Sequence, residues 1–316
     1  MSRVVVTGGA GFIGSHLVDA LLSEGEQVTV IDDLSAGRRE FVNPSADLEV
    51  VDIADADALD SVFDAAAPAA IYHLAAQASV TASVADPRRD CEVNVRGTLN
   101  LLEAAGRCRA PLIFTSTGGA LYGNEAPIPT PESFIPSPLA PYGASKWAAE
   151  AYVNTWANSS QLPHAVLRLG NIYGPRQSPH GEAGVVAIFS HALWRGNRPR
   201  MFGFGKPTRD YVHVADVADA MLRAAGTRGT FNIATGVETP VSSLFEMLAQ
   251  VASSTIEPEL LPLREGELER SCMDPSLAAD ALGWRARVGL QDGLKQTYHE
   301  LVAGFEQEER VERSAG

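Results

Sequence analysis

Tyr142-Gly143-Ala144-Ser145-Lys146 places a phenol and an ammonium four residues apart. On a helix such a pair shares one face, about one turn apart. An ammonium held there favours the phenolate, so the tyrosine pKa, ~10 in isolation, is expected to fall toward neutral pH. A phenolate beside a nicotinamide is the proton acceptor that oxidation of a secondary alcohol requires. Tyr-x-x-x-Lys also arises by chance on solvated helices, so the rest of the chain must decide whether this pair is chemical.

The N-terminal segment supplies that context. Arg3-Val4-Val5-Val6-Thr7 is a short branched run of the kind that forms a buried parallel strand. Gly8-Gly9-Ala10-Gly11-Phe12-Ile13-Gly14 follows, and then an amphipathic stretch from Ser15 to Leu22. A glycine-rich turn between a strand and a helix lets backbone approach a pyrophosphate, whose charge sits at the helix N-terminus. Gly8, Gly11, Phe12, Ile13 and Gly14 are therefore candidate dinucleotide contacts. A second strand at 27–31 ends on Asp32-Asp33. An acid about twenty residues past the glycines accepts from the adenosine ribose and repels a 2′-phosphate, which favours NAD over NADP. Asp32 is the better candidate, and Asp33 reads as a solvated loop acid. Arg38 and Arg39 lie beyond the Ser35-Ala36-Gly37 turn, too far along to welcome a phosphate. After a third strand at 48–51, Asp52-Ile53 falls where a strand end can meet the adenine.

The elements that must position these groups alternate along the chain. Strands are expected near 70–75, 112–115 and 165–169, with helices at 93–105 and 140–158. That alternation predicts an α/β fold with a doubly wound parallel sheet. Past Gly174-Pro175-Arg176 the texture changes to glycine, proline and short apolar pieces, read as a lid over the strand ends. The segment 231–234 is expected to return to the sheet. The expected organisation is a Rossmann domain over 1–175 and a smaller, discontinuous C-terminal substrate-binding lobe over 176–316. The charged tail, 306–316, is expected to fray.

Composition narrows the partners. The formal charge is −14 over 316 residues, with acids dispersed rather than in blocks. Nucleic acid and anionic membrane reward clustered Lys and Arg, so neither is expected as a partner. Cys91, Cys108 and Cys272 are odd in number and lack metal or redox spacing. They read as reduced thiols of a cytoplasmic protein, with no metal site. No apolar run is long enough to span a bilayer.

With these motifs in place the chain closely resembles the extended short-chain dehydrogenases, and within them the UDP-glucose 4-epimerases. The resemblance runs over nearly the whole length. It rests on the glycine turn from Thr7 to Gly14, Asp32-Asp33-Leu34-Ser35-Ala36-Gly37, and His73-Leu74-Ala75-Ala76-Gln77-Ala78-Ser79-Val80. Further matches are Asn94-Val95-Arg96-Gly97-Thr98, Asn171-Ile172-Tyr173-Gly174-Pro175-Arg176, Thr208-Arg209-Asp210-Tyr211, Arg264-Glu265-Gly266-Glu267 and Leu282-Gly283-Trp284. It implies NAD as cofactor, with Leu74, Ala75, Ala76, Gln77 and Asn94 lining its site beside Tyr142 and Lys146. It implies a UDP-sugar as substrate, with Ser79, Thr117 and Tyr142 at the sugar. Asn171, Val185, Val186, Arg200 and Phe202 would hold the uridine, and Arg209 and Arg264 the phosphates. Helices near 93–105 and 142–158 build a dimer in relatives, and Leu99, Leu102, Trp147, Tyr152 and Trp156 exceed one core face. A homodimer is expected.

Ser116-Thr117-Gly118-Gly119 separates the reactions within that resemblance. Sugar-nucleotide 4,6-dehydratases carry an Asp-Glu pair here, and elimination needs such a positioned acid and base. Many epimerases place a hydroxyl residue where Gly118 stands. Thr117 is the expected hydroxyl partner, with Ser116 the alternative. The implied mechanism has Tyr142 take the 4-hydroxyl proton while hydride leaves C4, followed by rotation of the 4-keto sugar and return of hydride to its other face. In epimerases restricted to glucose and galactose a tyrosine lies seven residues after the phosphate arginine. Ser271 occupies that place here and leaves room for an N-acetyl group. A UDP-glucuronate 4-epimerase, another nucleotide-sugar oxidoreductase or dehydratase of this fold, and a non-catalytic NAD sensor are the alternatives.

Overall fold

Branched and aromatic runs form the strands, and the helices between them cover both faces of one sheet. In the computed structural model, which describes residues 2–180, 184–264 and 267–315, the first half runs β1 (Arg3–Thr7), α1 (Phe12–Ser23), β2 (Gln27–Ile31), β3 (Asp47–Glu49), α2 (Ala56–Ala66), β4 (Ala70–His73), α3 (Val80–Ala85), α4 (Pro87–Cys91), α5 (Gly97–Cys108), β5 (Leu112–Thr117), α6 (Pro141–Ser160) and β6 (Ala165–Leu169). The second half runs β7 (Asn171–Tyr173), α7 (Val185–Trp194), β8 (Arg200–Phe202), β9 (Thr208–Arg209), β10 (Tyr211–His213), α8 (Val214–Ala224), β11 (Gly229–Ile233), β12 (Thr239–Pro240), α9 (Val241–Val251), β13 (Glu259–Leu261), α10 (Ser276–Leu282) and α11 (Leu290–Ala315).

Seven strands pair in parallel in the order β11-β6-β5-β4-β1-β2-β3. Strand order reverses between β1 and β4, and the crevice outside the carboxyl ends of such strands is where doubly wound sheets bind ligands. The glycine turn after β1 and the 74–77 segment after β4 both open there. One apolar cluster packs α1, α8 and α10 on one face, and another packs α2, α5 and α6 on the other. The return of the chain to the sheet occurs as expected, as β11 beside β6.

The second lobe has its own core of Val186, Phe189, Leu193, Met201, Leu244 and Leu248, and three two-stranded sheets, β7·β10, β8·β13 and β9·β12. It is interrupted by α8, β11 and α10, whose apolar residues join the main sheet instead. The expected frayed tail is helical to Ala315, with Glu306–Arg310 and Glu309–Arg313 pairs one turn apart. The helix expected at 93–105 begins earlier: α4 leads through a wide π turn, Glu92–Arg96, into α5. Such turns re-aim side chains and concentrate at functional sites.

Candidate active site

The turn after β1 is built to admit another backbone. Gly8 has φ of +73°, and a Cβ there would lie 2.6 Å from the Ala75 amide nitrogen. A Cβ on Gly14 would lie 2.0 Å from the Gly8 carbonyl oxygen. No residue but glycine fits either place without moving main chain. Gly11 caps α1 without a side-chain hydrogen bond, which leaves the first amides of the helix to a ligand anion. The flanking side chains are packed: Ile13 lies against the core, and the Phe12 ring meets His16 edge-on at 6.0 Å.

Asp32 closes the cradle. Its carboxylate accepts from the amides of Ala10 at 3.0 Å and Leu34 at 2.9 Å, and burial raises its pKa against those bonds. Asp33 is exposed and accepts from Ser35 N and Oγ, the loop acid foreseen. Arg38 is engaged by Glu40 and by Glu308 of α11, each at 2.6 Å. Asp52 is held by Ala54 N and Arg89, while Ile53 is buried and its carbonyl accepts from Asn100. Leu74 and Ala75 donate their amides to the Thr7 carbonyl, which brings the 74–77 segment against the glycine turn, with Ala76 between them and Gln77.

Tyr142 and Lys146 start α6, which Pro141 opens at the first helical position. Tyr142 is partly exposed, and Lys146 is buried with its Nζ 4.5 Å from the centroid of the Phe114 ring. The ammonium makes no hydrogen bond to the described residues. The lowered tyrosine pKa expected from the pair is not found. Desolvation, reinforced by the Asp90 carboxylate, pushes the Tyr142 phenol up to about 12. Desolvation likewise draws Lys146 down to about 8, against Glu150 and Asp90. Burial outweighs charge at this spacing.

Asn94, expected at the cofactor, is spent on the protein. The π turn directs its Nδ2 to the Gln77 carbonyl, Asp90 Oδ1 and Ser145 Oγ, and its Oδ1 accepts the Gln77 amide. Gln77 in turn exchanges bonds with Ser79, whose Oγ caps α3. These residues brace the floor of the site.

Thr117 and Ser116 end β5 on opposite faces. Ser116 shares its face with Phe114, and its Oγ is buried with no hydrogen-bond partner. Thr117 is partly exposed, and its Oγ1 accepts from Ala120 N at 3.2 Å. The next position explains why no hydroxyl stands at Gly118. A Cβ there would lie 1.9 Å from Met273 Sδ, so Met273, arriving from 155 residues later, fills the space. Asp210 anchors that methionine, accepting from the amides of Thr235, Gly236 and Met273. The spacing of the sequence gave no sign of this contact. Gly118→Ser is expected to lose at least ~1–3 kcal/mol of stability through overpacking, and Gly118→Ser/Met273→Ala to regain part of it. Equal unfolding midpoints for the single and double variants would contradict the contact.

The second lobe brings two guanidiniums together. Arg209 on β9 is largely buried, and Glu267 lies 3.8 Å from its Nη2 and 3.9 Å from Arg264 Nε. Arg264 stacks its guanidinium 3.7 Å from the Phe202 ring centroid. Burial depresses the Arg209 pKa, with Tyr211 and Glu267 opposing. Two guanidiniums converge on one loosely held carboxylate, a geometry suited to phosphate. Glu265 and Gly266 of that motif lie outside the described residues. Asn171 is close by Gly119, and its buried Oδ1 has no hydrogen-bond partner among the described residues. Val185 and Val186 form the first turn of α7, with Val186 buried in the lobe core, so only their backbone is available. The Arg200 side chain is 72% exposed and pairs with Glu259 across β8 and β13. The fold therefore packs α6, with Tyr142 and Lys146 at its start, against β5, which ends on Ser116 and Thr117, and leaves the Arg200 side chain on the surface.

Residues 4–234 match the NAD dependent epimerase/dehydratase family. The chain belongs to this family. It is 45% identical over 303 residues to a UDP-glucose 4-epimerase of Mycolicibacterium smegmatis, covering 93% of this chain and 97% of the relative. A Thermotoga maritima UDP-glucose 4-epimerase crystallised with UDP-glucose superposes with a TM-score of 0.94 at 43% identity, over 96% of this chain and 99% of that one. A Thermus thermophilus UDP-glucose 4-epimerase in complex with NAD gives a TM-score of 0.88 at 43% identity, over 95% and 98%. The cofactor of this epimerase/dehydratase family fits the cradle: the glycine turn excludes side chains, the α1 amides are uncapped, and Asp32 stands at the end of β2.

Proposed function

We propose that this protein interconverts UDP-glucose and UDP-galactose by NAD-dependent epimerisation at C4. What supports the reading is the packing of α6, which carries Tyr142 and Lys146, against β5, whose end offers hydroxyls and glycines but no acid pair for elimination, together with the Arg209 and Arg264 guanidiniums that share Glu267 in the second lobe. The relatives named UDP-glucose 4-epimerase, one of them holding UDP-glucose, support the same substrate.

The glycine turn, the α1 amides and Asp32 would hold NAD, which when bound would supply an oxidised nicotinamide able to accept hydride from C4 and return it, with a positive charge that favours the phenolate. Tyr142 takes the 4-hydroxyl proton and later gives it back. Lys146, at about 8, keeps most of its ammonium at neutral pH. Thr117 is the hydroxyl we assign to the sugar oxygen, because Ser116 Oγ exposes almost no surface and a sugar cannot reach it. Arg209 and Arg264 grip the diphosphate while the 4-keto sugar turns between faces. The test is incubation with UDP-galactose followed by proton NMR. Growth of the UDP-glucose anomeric signal supports the reading, and an unchanged spectrum rejects it.

Ser271 carries a second substrate into this proposal. It follows Arg264 by seven residues, is partly buried, and donates its amide to the Thr208 carbonyl beside Arg209. Its small side chain admits the N-acetylated pair as well. Ser271→Tyr is expected to remove activity on UDP-N-acetylglucosamine at least tenfold more than on UDP-glucose, an order typical of steric exclusion. An unchanged ratio of the two kcat/KM values would reject this assignment.

We further propose a homodimer. Trp147 and Tyr152 on α6 are each 40% exposed, and Val80 and Val84 on α3 are exposed as well. Contiguous apolar surface of that kind marks an interface. Leu102, counted among the excess residues in the sequence, is instead fully buried in the core. Light scattering at micromolar concentration should give twice the chain mass of 33.6 kDa, and Trp147→Glu should halve it. A monomeric mass for the unaltered protein would refute the dimer.

A further inference from the structure

Asp90 is the buried acid that nothing above has used. Its side chain is 1% exposed. Oδ1 accepts from Gln77 Nε2 at 2.9 Å and from Asn94 Nδ2 at 3.1 Å, while Oδ2 is buried with no hydrogen-bond partner. No cation lies within ion-pair distance of it among the described residues. Carboxylates are rarely buried in this way unless a positive charge or further donors compensate them.

The compensating charge available is Lys146. Both groups belong to one packed region, for α4 and the π turn lie against α6. A continuous chain of hydrogen bonds runs from Asp90 through Asn94 to Ser145 Oγ, and from Ser145 Oγ to the Tyr142 carbonyl. Asp90 thus braces the turn of α6 that carries both reactive side chains. Lys146 is buried, has the Phe114 ring as its neighbour, and lacks a hydrogen bond of its own to the described residues.

The other titratable groups facing Lys146 are accounted for. Glu150, one turn further along α6, is neutralised by Arg168 of β6, whose Nε and Nη2 reach both its oxygens at 2.7–3.1 Å. His73 of β4 is buried between Thr7 and Thr98 and is held neutral by burial and by Lys146 itself. β5 and α3 carry no titratable side chain, Glu92 of the π turn pairs outward with Arg96, and Arg88, Arg89 and Cys91 of α4 and Glu103 and Arg107 of α5 are exposed, with Arg89 held by Asp52 and Arg107 by Asp60. Tyr142 completes the set. Among these the Asp90 carboxylate is the one buried negative charge without a partner.

We propose that Asp90 is a positioning residue whose carboxylate holds Lys146 as an ammonium while it braces the Asn94–Ser145 chain beneath Tyr142. This rests on the Tyr142–Lys146 pair acting as proposed above. The consequence has a definite sign. An anion beside both groups favours the ammonium and opposes the phenolate, so it moves both titrations upward. Burial and Asp90 act together on Tyr142, whereas on Lys146 burial is opposed by Glu150 and by Asp90.

Asp90→Asn tests this in the NAD-loaded protein, since the amide keeps an acceptor for Gln77 and Asn94 and removes only the charge. Both limbs of the kcat–pH profile should move to lower pH, by about one unit, which is about tenfold in rate on each limb. Asp90→Glu should return the limbs toward their original positions even where its turnover is lower. A second readout needs no turnover. The chain has three lysines, Lys146, Lys206 and Lys295, so NMR of ¹³C-lysine-labelled protein resolves the titration of Lys146. Asp90→Asn should move that one signal to lower pH and leave the other two in place. If turnover is absent altogether, the epimerase reading fails while the lysine titration still decides the role of Asp90. An Asp90→Asn profile that is lowered uniformly with unmoved limbs, and an unmoved Lys146 signal, would overturn the proposal and leave Asp90 as a brace alone.

Discussion

Tyr142→Phe is expected to lower turnover by ~10²–10⁴-fold, the range for loss of a positioned general base, with NAD still bound and the unfolding midpoint little changed. The substitution removes one oxygen that makes no hydrogen bond to the described residues, from a side chain that is already partly exposed. The backbone carbonyl of Tyr142, which accepts from Ser145, is untouched. Retained turnover in the variant would mean that some other group takes the proton, and the account of the crevice would fall with it.

Glu150→Ala is expected to produce the largest loss of stability, ~3–5 kcal/mol, the cost of stranding one partner of a buried ion pair. Arg168 and Glu150 have side-chain exposures of 7% and 2%. The same guanidinium also donates to the Tyr122 hydroxyl at 2.8 Å, and Tyr122 to Asn232 on β11. Losing the carboxylate therefore disturbs a network that ties α6, β6 and β11 together. Urea unfolding of Glu150→Ala against the doubly apolar Glu150→Leu/Arg168→Met measures this directly. The double variant should be closer to the unaltered protein, because replacing both charges leaves none uncompensated. Similar losses in the two variants would place the cost in packing rather than in charge.

The fold was legible because its main signals are local. The branched run at 3–7, the glycine turn and the acid at the end of β2 each follow from a few adjacent residues. β5 extends two residues past the expected limit, over Ser116 and Thr117, and it is this extra length that buries the Ser116 hydroxyl and leaves Thr117 partly exposed. What the sequence hid lies in contacts between distant segments. Nothing near Gly118 announces that Met273 occupies its side-chain space, and nothing near Asn94 announces that a π turn aims it at Gln77 and Ser145 rather than at a cofactor. Asp90 did leave a trace: it precedes Asn94 by four residues and so shares its helix face. The sequence also could not show where the Arg200 side chain goes: on a three-residue strand the buried Met201 turns inward, which sends Arg200 outward to Glu259. The tyrosine pKa failed because spacing reveals a neighbouring charge but not the depth of burial, and here burial is the larger effect.

One base and one bound NAD would oxidise C4 and reduce it again from the opposite face, with the hydride never exchanging with solvent. UDP-galactose carrying deuterium at C4 is the substrate that reports on this. The expected product is UDP-glucose with the deuterium kept at C4, read by NMR and mass spectrometry, with no net build-up of reduced cofactor. Product with hydrogen at C4, or reduced cofactor accumulating with the oxidised sugar, would contradict it.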